Sequence, residues 1–187
     1  MASNEESSSR QWFAIAAIGR DRPGIVADLS ECVYECGCNL EDASMTMLGS
    51  EFATLMLISG LGDELERRVS DAMKHLEWER RLSIFVRPLE SAPDPPHGPG
   101  ARTFELVAEG IDKAGIVAGV ARSLADHGVL IADLRGAIAP IPQSGTPLYR
   151  LSIRMSVPAT VDLADLQSEL GRIAEHLDVE ISLNEGA

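Results

Sequence analysis

The chain repeats itself. Gly19-Arg20-Asp21-Arg22-Pro23-Gly24-Ile25-Val26-Ala27 is echoed 91 residues later by Gly110-Ile111-Asp112-Lys113-Ala114-Gly115-Ile116-Val117-Ala118. The same offset carries Leu29 onto Val120, Val33 onto Leu124, Gly37 onto Gly128, Leu40 onto Ile131 and Asp42 onto Asp133. His75-Leu76 meets His176-Leu177 at an offset of 101. The second copy therefore holds about ten more residues, and the Pro/Gly-rich stretch Ala139 to Pro147 reads as the long hairpin loop that takes them. Between the copies, Pro88 to Gly100 contains five prolines and two glycines, a semi-rigid linker. Two copies of so long a period do not make a solenoid. The expected organisation is a tail over 1–10, a domain over 11–87, a linker over 88–101 and a second domain over 102–187.

Each copy shows the same order of elements. Phe13, Ile15 and Ala17 alternate with the apolar Trp12, Ala14 and Ala16, which predicts a strand buried on both faces. Ile25, Leu29, Cys32, Val33 and Cys36 share one helical face, and Gly37 follows in the usual C-terminal place for glycine. Ala43, Met45 and Met47, a turn at Gly49-Ser50 and Phe52 to Ile58 form a hairpin. Asp63 is the expected N-cap of a second helix on Leu65, Val69, Ala72, Met73 and Leu76, and Leu82, Ile84 and Val86 close with a strand. The second copy repeats this on Phe104, Leu106 and Ala108; on Ile116, Val120 and Leu124; around Ile131 and Leu151; on Leu166, Leu170 and Ile173; and on Val179, Ile181 and Leu183. The fold class is α+β: two ferredoxin-like βαββαβ domains, antiparallel sheets with the helices on one face. A unit of about 80 residues buries only about 60–65% of its surface, so pairing of units would supply the missing cover.

Charge narrows the partners. Sixteen Lys and Arg stand against 29 Asp and Glu, a net charge of −13. Phosphate backbones and anionic lipid surfaces repel such a chain, which argues against direct nucleic-acid or membrane binding. The N-terminus has neither a basic region nor an apolar run, so no signal peptide is expected and the cytoplasm is the default. There is no Gly-x-Ser-x-Gly and no His-Glu-x-x-His, and no catalytic residue is proposed.

The repeated loop between the first strand and first helix is the candidate site. A helix N-terminus offers unpaired N–H donors and a partial positive charge, on which a small carboxylate can sit. Glycine lets a ligand approach that backbone closely. Asp21 could hold the ammonium of an amino acid. Equally, Asp21 and Asp112 could simply cap their helices and the glycines make tight turns. Arg20, Arg22 and Lys113 give each loop a cation, read as solvated charge or as a lure for an anionic ligand.

Phe13, Gly19 to Val26 and the downstream Gly37-Cys38-Asn39-Leu40, within this order of elements, resemble an ACT domain. The whole arrangement, from about Gln11 to Leu183, resembles the glycine cleavage system transcriptional repressor family. The resemblance implies a non-catalytic regulatory module without cofactor. The same resemblance implies that it binds an amino acid of the glycine or serine class and acts, as a homodimer, through a regulatory protein partner rather than by reading DNA. Asp21, Arg22, Pro23, Gly24 and Ile25 match the family's ligand loop, and Asn39 matches its polar contact after the first helix. The second copy keeps Asp112, Lys113, Gly115 and Ile116 as a weaker site. There Ala114 replaces the proline, and Leu130 stands where Asn39 predicts an asparagine. A ligand-independent interaction module, or a detached regulatory subunit of an amino-acid metabolic enzyme, are the alternatives. The chain ends soon after its last strand, which leaves no expected room for a catalytic domain.

Other features carry less. Cys32, Cys36 and Cys38 suggest thiol ligands, but the first two lie on an apolar helix face where cysteine behaves as a small hydrophobe, and no metal is proposed. His75 and His176 are expected near helix C-termini, complementing the dipole. Met45, Met47 and Met56 are expected in the core.

Overall fold

In the computed structural model, residues 10–93, 100–111, 114–140 and 147–186 are described. The chain divides into two compact units, Met1–Asp94 and Pro95–Ala187. The first runs β1 (Gln11–Arg20), α1 (Ile25–Glu35), β2 (Cys38–Leu48), β3 (Glu51–Gly60), α2 (Leu65–Arg80) and β4 (Ser83–Leu89). The second runs β5 (Arg102–Ile111), α3 (Ile116–Asp126), β6 (Leu130–Pro140), β7 (Pro147–Val157), α4 (Leu163–Leu177) and β8 (Val179–Glu185). The sheet orders are β2-β3-β1-β4 and β6-β7-β5-β8, antiparallel throughout. This is the split β-α-β arrangement that the repeat predicts, twice.

Period-two alternation puts one side of each sheet against the helices. Phe13, Ile15 and Ala17 of β1 meet Leu29 and Val33 of α1 and Val69 and Met73 of α2 in one core. Leu106, Ala108, Val120, Leu124, Ile153 and Leu166 do the same in the second. The expectation that β1 is buried on both faces is corrected. Trp12, Ala14 and Ala16 are half-buried and Ile18 is exposed, because both helices lie on the same side of the sheet. Met56 is a core residue, but Met45 and Met47 are not: they are 48% and 43% exposed. They lie on β2, which among the described residues pairs only with β3 and forms a margin of the sheet.

The duplication holds in fine detail. A bulge interrupts the pairing between Leu40 and Asp42, and another at the equivalent Ile131 and Asp133. Of the expected long hairpin loop, residues 141–146 lie outside the described residues; the strands flanking it pair Pro140 with Pro147. The expected cap Asp63 is corrected: the N-cap residue of α2 is Glu64, in the left-handed region, and there is no side-chain cap. Asp162 caps α4 instead, accepting from the N–H groups of Ala164 and Asp165. His176 sits in the last turn of α4, but α2 runs five residues past His75 and its last-turn cation is Arg80.

His127, just past α3, ties the two helices of the second unit together. Its Nδ1 lies 2.8 Å from the Ser123 carbonyl oxygen and its Nε2 lies 3.4 Å from Asp165 at the start of α4. The Ser123 carbonyl, then Asp165 and Glu169, favour the protonated ring and raise its pKa above the ordinary 6.5. A pKa raised on folding means that this contribution to stability is fully present below the unfolded value and is lost as pH rises through the folded one. The expected result is that His127→Gln destabilises the second unit more on the acid side of this range than on the alkaline side. Thermal midpoints of both proteins across a pH series would show it; a pH-independent difference would not fit.

Candidate functional site

Pro23 and Gly24 lead directly into α1, so the loop ends where the helix axis begins. Gly24 is the N-cap residue, with φ 93° and ψ −5°, and no side chain caps the helix. This corrects the capping role considered for Asp21. A left-handed residue at this position is cheap for glycine and costly for any residue with a Cβ. The second unit repeats the device at Gly115, φ 103°, also without a side-chain cap. Among the described residues, the N–H groups of the first turn, at Ile25, Val26 and Ala27, therefore have neither an intrahelical nor a side-chain capping acceptor. Asp21, Pro23 and Gly24 are exposed, while Ile25 is buried in the core and anchors the helix start. The loop is held from the other side by the Asp21 N–H, which donates to the Ser50 carbonyl at 2.9 Å, in the turn between β2 and β3.

Arg22 is engaged rather than solvated. Its Nη2 lies 2.7 Å from Asp28 Oδ2, and Arg80 Nε at the end of α2 reaches the same oxygen at 3.2 Å. Asp28 is the acidic residue of the first turn of α1, a favourable place for a negative charge. Sequence reading passed over Asp28 and Arg80. Asp28 had a readable signal, an acid four residues after the N-cap glycine. Arg80 had none, since only helix packing brings it to Asp28. The pair of arginines offsets the Asp28 charge close to the N–H groups that an incoming carboxylate would use.

Asn39 is not beside this loop. It pairs with Ser59, which in turn pairs with Trp12, whereas the loop follows Arg20 at the opposite end of β1. Eight residues of strand separate the two rows, roughly 26 Å. No small ligand spans that distance within one sheet. Asn39 instead belongs to a polar group with Glu41, whose Oε1 accepts from the buried Ser59 hydroxyl at 2.5 Å and from Asn39 Nδ2 at 3.5 Å. The Ser59 hydrogen bond, aided by Asn39 and by Arg10, holds the Glu41 carboxyl below its ordinary pKa. In the second unit Leu130 occupies the place of Asn39, pairing with Ser156 as Asn39 pairs with Ser59. Gly115 and Ile116 are placed as their counterparts are; Asp112 and Lys113 lie outside the described residues.

The thiols are poor nucleophiles. Burial, reinforced by Cys36, pushes Cys32 up to about 11, and burial also raises Cys36 and Cys38. Among the described residues, no group of three His, Cys, Asp or Glu is placed to hold a metal ion.

Comparison with known proteins agrees with this architecture. Residues 11–86 match the ACT domain family. The glycine cleavage system transcriptional repressor of Escherichia coli (strain K12) is 28% identical over 177 residues, which cover 95% of this chain and 91% of the relative. A crystal structure of a protein of unknown function from Galdieria sulphuraria superimposes with a TM-score of 0.79 at 30% identity, covering 96% of this chain and all of the other. A second crystal structure, provisionally assigned as a glycine cleavage system transcriptional repressor, gives a TM-score of 0.75 at 30% identity, covering 96% and 99%.

Proposed function

The chain belongs to the ACT-domain family, and from that premise we propose that it is a non-catalytic regulator of transcription that senses a small amino acid. The ligand is of the glycine or serine class, and its carboxylate sits on the uncapped N–H groups of Ile25 to Ala27, with its ammonium at Asp21. The single observation that carries this reading is the α1 start itself: a positive-φ glycine, an absent cap and an exposed acid on one loop. Pro23 and Ile25 fix the loop, and Arg22 acts through Asp28 by offsetting its charge.

Asn39 joins the site only from another sheet, given the distance along β2. The free margin of β2 is where a second copy of the chain can add a strand. Antiparallel addition there sets the Asn39 end of one copy against the loop end of the other. Ligand binding then stabilises one pairing of two copies, and a regulatory protein partner reads that pairing. The second unit is the weaker site, because Leu130 lacks the amide. Likeness to a transcriptional repressor and the net charge of −13 together favour a protein partner over DNA. The same reading places the chain in the cytoplasm and away from membranes; among the described residues no helix is long and apolar enough to cross one.

Affinity has a ceiling. Five heavy atoms of glycine at about 1.5 kcal/mol each give roughly 7.5 kcal/mol, a Kd of a few micromolar at best. The test is a thermal-shift screen against the twenty amino acids at millimolar concentration, where a ligand at one hundred times its Kd adds about 2.7 kcal/mol. A shift with glycine, serine or a close analogue is expected, removed by Asp21→Ala and weakened by Asn39→Ala. A flat screen would refute the sensor and favour a ligand-independent interaction module.

A further inference from the structure

The two units share a fold, yet the faces of their sheets that point away from the helices differ in chemistry. In the first unit the pairing aligns this face in rows across β2, β3, β1 and β4. They read Asn39-Ser59-Trp12-Leu89, Asp42-Leu57-Ala14-Arg87, Ser44-Leu55-Ala16-Phe85 and Thr46-Ala53-Ile18-Ser83. The two central strands carry no charge in these rows. Ile18, Leu55 and Phe85 are 47%, 57% and 65% exposed. In the second unit the equivalent rows across β6, β7, β5 and β8 read Asp133-Arg154-Glu105-Asn184, Arg135-Ser152-Val107-Ser182 and Ala137-Arg150-Glu109-Glu180. There Arg150 pairs with Glu109 across the strands, and the Ser152 hydroxyl donates to Glu105. The second unit shows what this surface looks like when it faces water. In the first unit Glu41, bonded to Ser59, and Arg10, over the Trp12 ring, bring charge only to the first of its rows; across the other rows the first unit's version leaves an apolar centre that no other described element of that unit covers.

We propose that this apolar sheet face of the first unit is a homodimer interface, covered by the same face of a second copy. Charge decides the occupant and the orientation. The row through Ala14 ends in an acid, Asp42, at the β2 margin and in a base, Arg87, at the β4 margin. A two-fold axis lying between the sheets and along the strands carries the β2 margin of one copy over the β4 margin of the other. Each Asp42 then faces an Arg87 across an uncharged centre, in an aligned two-sheet sandwich. The area suffices. Four strands by four rows cover roughly 500 Å², so two faces bury about 1,000 Å², the size from which specific interfaces begin.

This assignment deepens the two-copy reading above but uses a different surface. It keeps loop end over loop end, so it does not bring Asn39 to the partner's loop, and it needs no ligand. The test is sedimentation velocity on the full chain in buffer free of amino acids, with circular dichroism as the check on folding. The wild-type protein is expected at twice the chain mass, and Leu55→Glu and Phe85→Glu at the mass of one chain. Asp42→Arg should weaken association by about tenfold, and Asp42→Arg with Arg87→Asp should restore it. A monomeric wild type overturns the assignment, as does a dimer unmoved by Leu55→Glu and Phe85→Glu or a charge swap without rescue. A blank amino-acid screen would leave it standing, and its failure would leave the sensor standing.

Discussion

Gly24→Val is expected to abolish stabilisation by the bound amino acid while leaving the protein folded. Gly24 has φ 93°, where a β-branched residue is strained by roughly 1–2 kcal/mol. A Cβ built there meets no heavy atom within 4 Å, so the cost is backbone strain rather than a clash. The first unit can absorb that against a typical 5–15 kcal/mol of stability. The site cannot. Either valine holds the left-handed geometry and its methyls crowd the N–H groups of Ile25 to Ala27, or the helix start rewinds and re-aims them. Gly115→Val is the matched control: φ is 103° and the surroundings are as open. It should cost a similar amount and leave the ligand shift in place if the first loop is the principal site. Thermal midpoints of both variants with and without millimolar glycine and serine decide it. A Gly24→Val protein that keeps the full shift rules this helix start out.

Leu29→Ala is expected to cost the first unit about 2–5 kcal/mol. Leu29 is 1% exposed at the centre of the α1 face, against the β1 residues Phe13 and Ile15. It is also what seats α1, and with it the loop, on the sheet. At roughly 4–8 °C per kcal/mol for a domain of this size, the unfolding of the first unit should fall by about 8 °C or more. The two cores have no residue in common. Calorimetry should therefore resolve a first transition that moves and a second, from the other unit, that does not. Two transitions falling together would mean that the units unfold as one block, and that the linker does not isolate them.

Much of this architecture is legible in the sequence. The repeated strand, loop and helix text, the alternation of Phe13, Ile15 and Ala17, and the spacing of Leu29 and Val33 are local signals, written by the periods of strand and helix. They specified two βαββαβ units, the element order and most of both cores. Gly24 and Gly115 were legible as helix starts for the same local reason. Alternation alone went wrong where cover was the issue. Trp12, Ala14 and Ala16 look like a second buried face, and Met45 and Met47 look like core. Whether an apolar side chain is covered depends on which side the helices take and which strand is a margin, and both are properties of the assembled sheet.

The candidate site divides along the same line. Asp21 to Ile25 lie within five residues of one another, so the sequence by itself determined that they share one loop, and that an acid stands before a glycine-led helix. Only the tertiary structure decided that Asp21 does not cap that helix, because the chain places Gly24, not Asp21, at its start. Only it decided that Arg22 and Arg80 meet on Asp28, through the packing of α2 against α1. Only it decided that Asn39 stands some eight residues of strand from the loop it was expected to serve, because β2 runs antiparallel to β3 from the far end of the sheet. Local order follows from neighbouring residues and the two backbone periods. Which distant residues meet follows from strand pairing and helix packing, which no short stretch of this sequence encodes.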